Sequence, residues 1–121
     1  MSYSKAVLDH FEHPRNVGDL PGADAEVRLE HPVCGDVMTL AVKLSGSRIG
    51  DVRFRTRGCV AAIAAGSCLT EMIQGKPVTE AQALQREQLL AALGGLPNAS
   101  VHATHLAMDA LTQVLKKLTA R

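Results

Sequence analysis

The residues of this chain best suited to chemistry are three cysteines, an aspartate beside one of them and a histidine near the start of a late helical pattern. In Cys34-Gly35-Asp36 a thiol and a carboxyl flank a glycine, and the free backbone at Gly35 lets both face one centre. Gly58-Cys59 stands where a strand pattern gives way to an Ala-rich apolar run, so Cys59 is expected at a helix start. There, unpaired N–H groups and the helix dipole favour a thiolate, with Arg57 adding positive charge. His102 opens the last helical pattern, just after a loop, and can add an imidazole to a shared site. Taken singly, Cys34-Gly35-Asp36 also reads as a buried cysteine beside a turn aspartate, and His102 as a surface or capping residue; only together could these groups serve one metal. Cys68 lies nine residues beyond Cys59; at about 100° per residue it points to the far side of the same helix and reads as core packing. His10, His13, His31 and His105 read as surface or capping residues.

Composition narrows the partners. A formal net charge of +1, no tryptophan, one tyrosine and two phenylalanines leave neither a broad cationic field nor stacking platforms, which argues against nucleic acid. Asp9, His10, Glu12 and His13 interrupt the opening stretch, so no signal peptide is expected, and no run is long enough to span a bilayer. An odd number of cysteines without an export signal points to a reducing, cytoplasmic setting in which they stay thiols. No Glu or His is spaced to act as a general base beside the site, which speaks against a metal hydrolase.

The elements that must position these groups are legible as patterns. Ser4 is placed to cap a helix running to about Glu12, with Ala6, Val7 and Phe11 on its packing face and Pro14 ending it. Glu26 to Glu30 and Asp51 to Arg57 alternate as strands, the latter with arginines on a wet face, and Val37 to Leu44 does so less regularly. Short connections between them favour an antiparallel sheet. Cys59 to Ile73 reads as a buried helix closed at Gly75-Lys76-Pro77, and Thr79 to about Leu93 as another, broken by Gly94-Gly95. A final helix carries Thr104, Ala107, Met108, Leu111, Val114, Leu115 and Leu118 on one stripe. Strands followed by helices predict one α+β domain over residues 1–121, a three-stranded antiparallel sheet with helices packed on one face.

At these residues the sequence resembles the IscU/NifU-type iron-sulfur cluster scaffold family. The likeness runs through Tyr3-Ser4, Asp9-His10, Pro14-Arg15-Asn16-Val17-Gly18, Cys34-Gly35-Asp36-Val37-Met38, Gly58-Cys59, Ala62-Ile63-Ala64, Thr70-Glu71, Gly75-Lys76, Leu96-Pro97 and His102. It rests on the ordered set rather than on any one tripeptide. The resemblance implies an IscU/SufE-like fold and a scaffold, not an enzyme. Such a scaffold binds a cysteine desulfurase, holds a 2Fe-2S cluster and passes it to apo iron-sulfur proteins; its empty site takes zinc. It also implies ligands at Cys34, Asp36, Cys59 and His102.

Two departures qualify that expectation. The resembling family carries a third ligand cysteine directly after the histidine, where this chain has Ala103. The family's Leu-Pro-Pro-Val-Lys signal for a dedicated chaperone is here Leu96-Pro97-Asn98-Ala99-Ser100, without the second proline or the lysine. The remaining four donors suffice for tetrahedral zinc and give two ligands to each iron of a 2Fe-2S unit. Replacing a soft thiolate should make a cluster labile. The alternative reading is a zinc-binding regulatory or accessory paralogue that binds the desulfurase without building clusters. A SufU-type sulfur acceptor ranks lower, since Glu71 to His102 leaves no room for the insertion of that branch.

Overall fold

Three strands form the sheet, β1 (Ala25–Glu30), β2 (Val37–Ser45) and β3 (Arg48–Arg57), in the order β1-β2-β3 and antiparallel throughout. The computed structural model describes residues 3–120. Alternation decides which face is inside. Val27, Met38, Leu40, Val42, Val52 and Phe54 are buried beneath the helices, whereas Arg28, Lys43, Arg55 and Arg57 on the other face are exposed.

The helices are α1 (Lys5–Glu12), α2 (Val60–Ile73), α3 (Val78–Ala83), α4 (Arg86–Ala92) and α5 (His102–Thr119), with a single 3-10 turn at Asn98–Ser100 before the last. Helix α5 lies against β1 and β2, α2 against β3 and α5, and α1 against α2. The helices thus share one side of the sheet, as expected. Ala61, Ala62, Ala64 and Ala65 are fully buried in α2, and their small side chains let it approach sheet and neighbours closely. Gly66 is the tightest point: a Cβ there would meet the Phe54 ring at 2.5 Å.

The outer edge of β3 is covered by backbone from two loops. Gly18 N–H donates to Phe54 O and Phe54 N–H to Asn16 O, while Ile49 N–H donates to Lys76 O and Gly75 N–H to Ile49 O. Both loops fall where the sequence carries its Pro-Arg-Asn-Val-Gly and Gly-Lys-Pro stretches.

Three expectations require correction. The helix expected from Thr79 to Leu93 is two helices. The backbone is extended at Leu84 and Gln85, and the helix restarts because Gln85 and Gln88 cap each other reciprocally, Gln85 N–H donating to Gln88 Oε1 at 2.7 Å. The residue preceding α3 is Pro77, not Thr79, so no side chain caps that helix. On α1 the buried residues are Val7 and His10, while Phe11 faces out, because α2 offers His10 a hydroxyl partner at Ser67. Ser4 does cap α1, its Oγ accepting from Val7 N–H.

Candidate metal centre

Sheet register brings two of the site's segments together. Val37 opens β2 and Arg57 closes β3, and these residues pair directly, so the loop entering β2 and the turn leaving β3 are neighbours by necessity. Thr56 Oγ1 donates to Val37 O at 2.6 Å and fastens that end of the ladder. Cys34 and Asp36 lie on the first segment, Gly58 and Cys59 on the second. The third contribution comes from α5, whose packing across the sheet and α2 presents His102 from its first turn.

The donor atoms converge. Cys34, Asp36 and His102 each offer one ligand atom, and these lie within 4.8 Å of one another. His102 Nε2 is 3.5 Å from Asp36 Oδ2 and 4.0 Å from Cys59 Sγ. Cys34 is exposed, Cys59 half-buried, and Asp36 only 9% exposed. The loop is shaped by its own backbone: Gly35 adopts φ +77°, which glycine reaches without strain, and Asp36 N–H points to Cys34 Sγ at 3.5 Å.

Asp36 Oδ2 is buried and accepts no hydrogen bond. Leaving such an oxygen without a hydrogen bond costs about 1–3 kcal/mol, more when it is charged, so it is suited to accept a cation beside the His102 ring 3.5 Å away. Space around it is reserved by Gly58. A Cβ at that position would meet the Asp36 carboxyl atoms at 2.5 to 2.8 Å. Sulfur, oxygen and nitrogen donors around an unpartnered carboxylate oxygen fit a thiophilic divalent ion or a small iron-sulfur unit.

Electrostatics at Cys59 differ from expectation. It does sit at the N-cap of α2, and amides of the first turn lower its pKa, but burial pushes the thiol up by more and the Asp36 carboxylate adds to the rise. Arg57 is exposed and has no share in the balance. Metal uptake at Cys59 must therefore displace a proton. Cys68 is buried in the core, 3% exposed, and burial raises its pKa to about 11. Its Sγ lies against Met72 Sδ at 3.9 Å, away from the site.

Cys34, Asp36, Cys59 and His102 therefore share one end of the fold. His10 is not a surface residue: it is buried against Ser67 of α2. His31, expected as a surface or capping residue, does cap, and it does so on the ligand loop itself. Its ring centroid is 5.3 Å from that of His102, and its Nδ1 accepts from the N–H groups of Val33 and Cys34. The signal was its position three residues before the cysteine, where a side-chain acceptor can cap a tight loop; histidine is not a usual capping type. Ala103, beside His102, is fully buried in the core cluster.

Comparison with known proteins gives one answer from three directions. The family model of the NifU-like N terminal domain matches residues 2–121. Iron-sulfur cluster assembly scaffold protein IscU 1 of Archaeoglobus fulgidus is 47% identical over 113 residues, covering 93% of this chain and 74% of the relative. The scaffold protein IscU of Escherichia coli K12 is 43% identical over 115 residues, covering 92% and 89%. Among solved structures, a nitrogen-fixing NifU-like protein (N-terminal) from Brucella abortus superposes with a TM-score of 0.82 over 98% of this chain and 94% of its own. At 16% identity that likeness speaks for the fold alone.

Proposed function

The chain belongs to the NifU-like N-terminal domain family, and from that premise we propose that it is an iron-sulfur cluster assembly scaffold or carrier, holding its cargo on Cys34, Asp36, Cys59 and His102. It acts as a binding protein rather than an enzyme, like the relatives named as scaffolds. The observation that supports the ligand assignment is the buried Asp36 Oδ2, which accepts no hydrogen bond and lies by Cys34 and His102, with Cys59 Sγ 4.0 Å from His102 Nε2.

Each residue has a distinct task. Cys34, exposed on its loop, is the thiol first met by incoming sulfur or iron. Cys59 closes the site from the helix side and releases its proton as it ligates. Asp36 supplies a hard donor that binds iron and zinc but holds them less tightly than a thiolate would, which suits a site that must give its cargo away. With zinc the four donors complete a tetrahedron; with a 2Fe-2S unit they give two ligands to each iron. Our reading is zinc as the ion held at rest and a cluster as labile cargo. The partners that go with it are a cysteine desulfurase as sulfur source and apo iron-sulfur proteins as recipients, in the cytoplasm. Among the described residues no helix is long and apolar enough to cross a membrane.

A second reading draws on Ala103. Where the side chain after His102 is a buried methyl rather than a donor, a zinc-binding accessory protein that engages the desulfurase without building clusters becomes the competitor. Purification without oxygen, followed by metal analysis and a visible spectrum, separates the two. The scaffold reading predicts sulfur-to-iron charge-transfer absorption after reconstitution with iron and sulfide, lost in Cys34→Ser and Cys59→Ser. Stoichiometric zinc with no colour, and colour gained only in Ala103→Cys, would favour the accessory protein. A native chain that takes up neither zinc nor iron would refute the site.

A further inference from the structure

His31 belongs to no proposed ligand set, yet both its backbone and its ring are bonded to the ligand loop. Its backbone N–H donates to Asp36 O at 2.7 Å, and its backbone O accepts from Gly35 N–H at 2.9 Å. Its ring Nδ1 accepts from Val33 N–H and Cys34 N–H, both at 3.3 Å. Its ring also leans on that of His102, tilted by 55°. One residue is therefore tied to Cys34, Gly35 and Asp36 and rests against the fourth donor.

We propose that His31 is a positioning residue of the metal centre: its neutral imidazole caps the amides of Val33 and Cys34 and thereby holds Cys34 and Asp36 in binding geometry before any ion arrives. The proposal rests on the reading of Cys34, Asp36, Cys59 and His102 as ligands. A ring nitrogen that accepts two N–H groups carries no proton, so the ring proton sits on Nε2. The lone pair a metal would need on Nδ1 is already engaged by those two amides. That favours a supporting role over direct ligation.

The chemistry explains why a cap is needed here. The loop has no regular partner strand between His31 and Asp36, Gly35 sits at positive φ, and Val33 is 89% exposed. Without the imidazole, two amides would lose this partner, leaving the loop to the two backbone bonds of His31 and the long Asp36 N–H to Cys34 Sγ contact. Supporting residues of this kind typically change metal affinity by about 10–100-fold when removed.

The test compares His31→Ala and His31→Asn with the native chain. Asparagine Oδ1 can accept from the amides two and three residues on, as Nδ1 does, but its amide is a poor metal ligand. Two readouts are taken: amide hydrogen exchange at Val33 and Cys34 in metal-free protein, and zinc affinity by chelator competition, with cobalt substitution reporting the ligand field. In His31→Ala, exchange at both amides should quicken by about tenfold, the change one hydrogen bond of ordinary strength controls. Zinc affinity should fall by about 10–100-fold. His31→Asn should restore most of both. Equal loss in both variants with an altered cobalt spectrum would make His31 a ligand and overturn the proposal, as would unchanged exchange in His31→Ala. A native chain that binds no zinc or cobalt would refute the ligand assignment, while the exchange data would still decide whether His31 caps the loop.

Discussion

Accessibility and charge separate three thiols that composition alone makes equivalent. Cys34 is exposed, Cys59 is half-buried with its pKa raised chiefly by burial, and Cys68 is buried with its pKa near 11. Since the thiolate is the reactive form, a disulfide reagent at pH 8 should modify Cys34 first, Cys59 more slowly, and Cys68 only on unfolding. Cys59 reacting ahead of Cys34 would contradict this order. Gly58 is the other residue whose identity the site dictates. In Gly58→Ala the new methyl would displace the Asp36 carboxyl, so zinc affinity measured by chelator competition should fall by about 10–100-fold. Its unfolding midpoint should move little, because Gly58 is exposed and not at positive φ. Unchanged affinity would show that Asp36 is not a ligand. The four proposed ligands were legible in the sequence because their types are rare and their order is distinctive. The amides that His31 caps were not, because its role depends on a loop closing back on one ring nitrogen, which spacing does not encode.

Element by element, the strands and long helices are legible because β1 and the end of β3 alternate and α5 keeps its stripe; β2 alternates less regularly, with Leu40, Ala41 and Val42 all buried and a register shift at Lys43/Leu44. Leu106 and Ala110 are also buried on α5, widening the stripe beyond the residues its period picks out, because that helix meets β1, β2 and α2 at once. The break between α3 and α4 escaped notice: its cap is a pair of glutamines, not the Ser, Thr, Asp or Asn that normally announces a helix start. Close packing of α2 on β3 is the feature on which the site most depends, since it fixes where Cys59 begins the helix. Gly66→Ala tests it. The added methyl would collide with Phe54 and crowd Met38, both essentially without exposure. Overpacking of about 1–3 kcal/mol should exceed the ~0.5–1 kcal/mol gained by replacing a helical glycine. The urea midpoint should therefore drop, and a rise would mean the helix has room to shift.

At the scale of the whole molecule, a polar latch ties α1 and the loop after it to α2. His10 on α1 bonds through Nδ1 to Ser67 Oγ on α2 at 2.7 Å, the same hydroxyl accepts Arg15 N–H at 2.9 Å, and Asn16 donates to Thr70 Oγ1 at 3.1 Å. Arg15 reaches Asp9 at 2.6 Å and Glu71 at 3.5 Å, and His10 Nε2 lies 3.7 Å from Glu71. These bonds seat the loop that covers the edge of β3. Arg15 Nη1, which can only donate, lies 3.2 Å from His10 Nδ1, so that nitrogen is bare and accepts the Ser67 hydroxyl proton as well. Burial accordingly lowers the His10 pKa from its ordinary 6.5, the charge of Arg15 lowers it further, and Glu71 and Asp9 oppose both. The sign of the pH dependence follows. Above about pH 6.5 His10 is neutral folded or unfolded and adds no slope. Below it the unfolded chain takes up a proton that the folded chain resists, so stability falls with pH until the folded pKa is passed. The slope is at most about 1.4 kcal/mol per pH unit. His10→Asn, which keeps an acceptor for Ser67 but cannot titrate, should be less stable than the native chain at pH 7.5 yet lose less on acidification to pH 5. Thermal unfolding of the metal-free proteins across that range measures it, with the remaining histidines common to both. Parallel pH profiles would mean that protonation of His10 is accommodated by Glu71 and that the latch does not depend on a neutral ring.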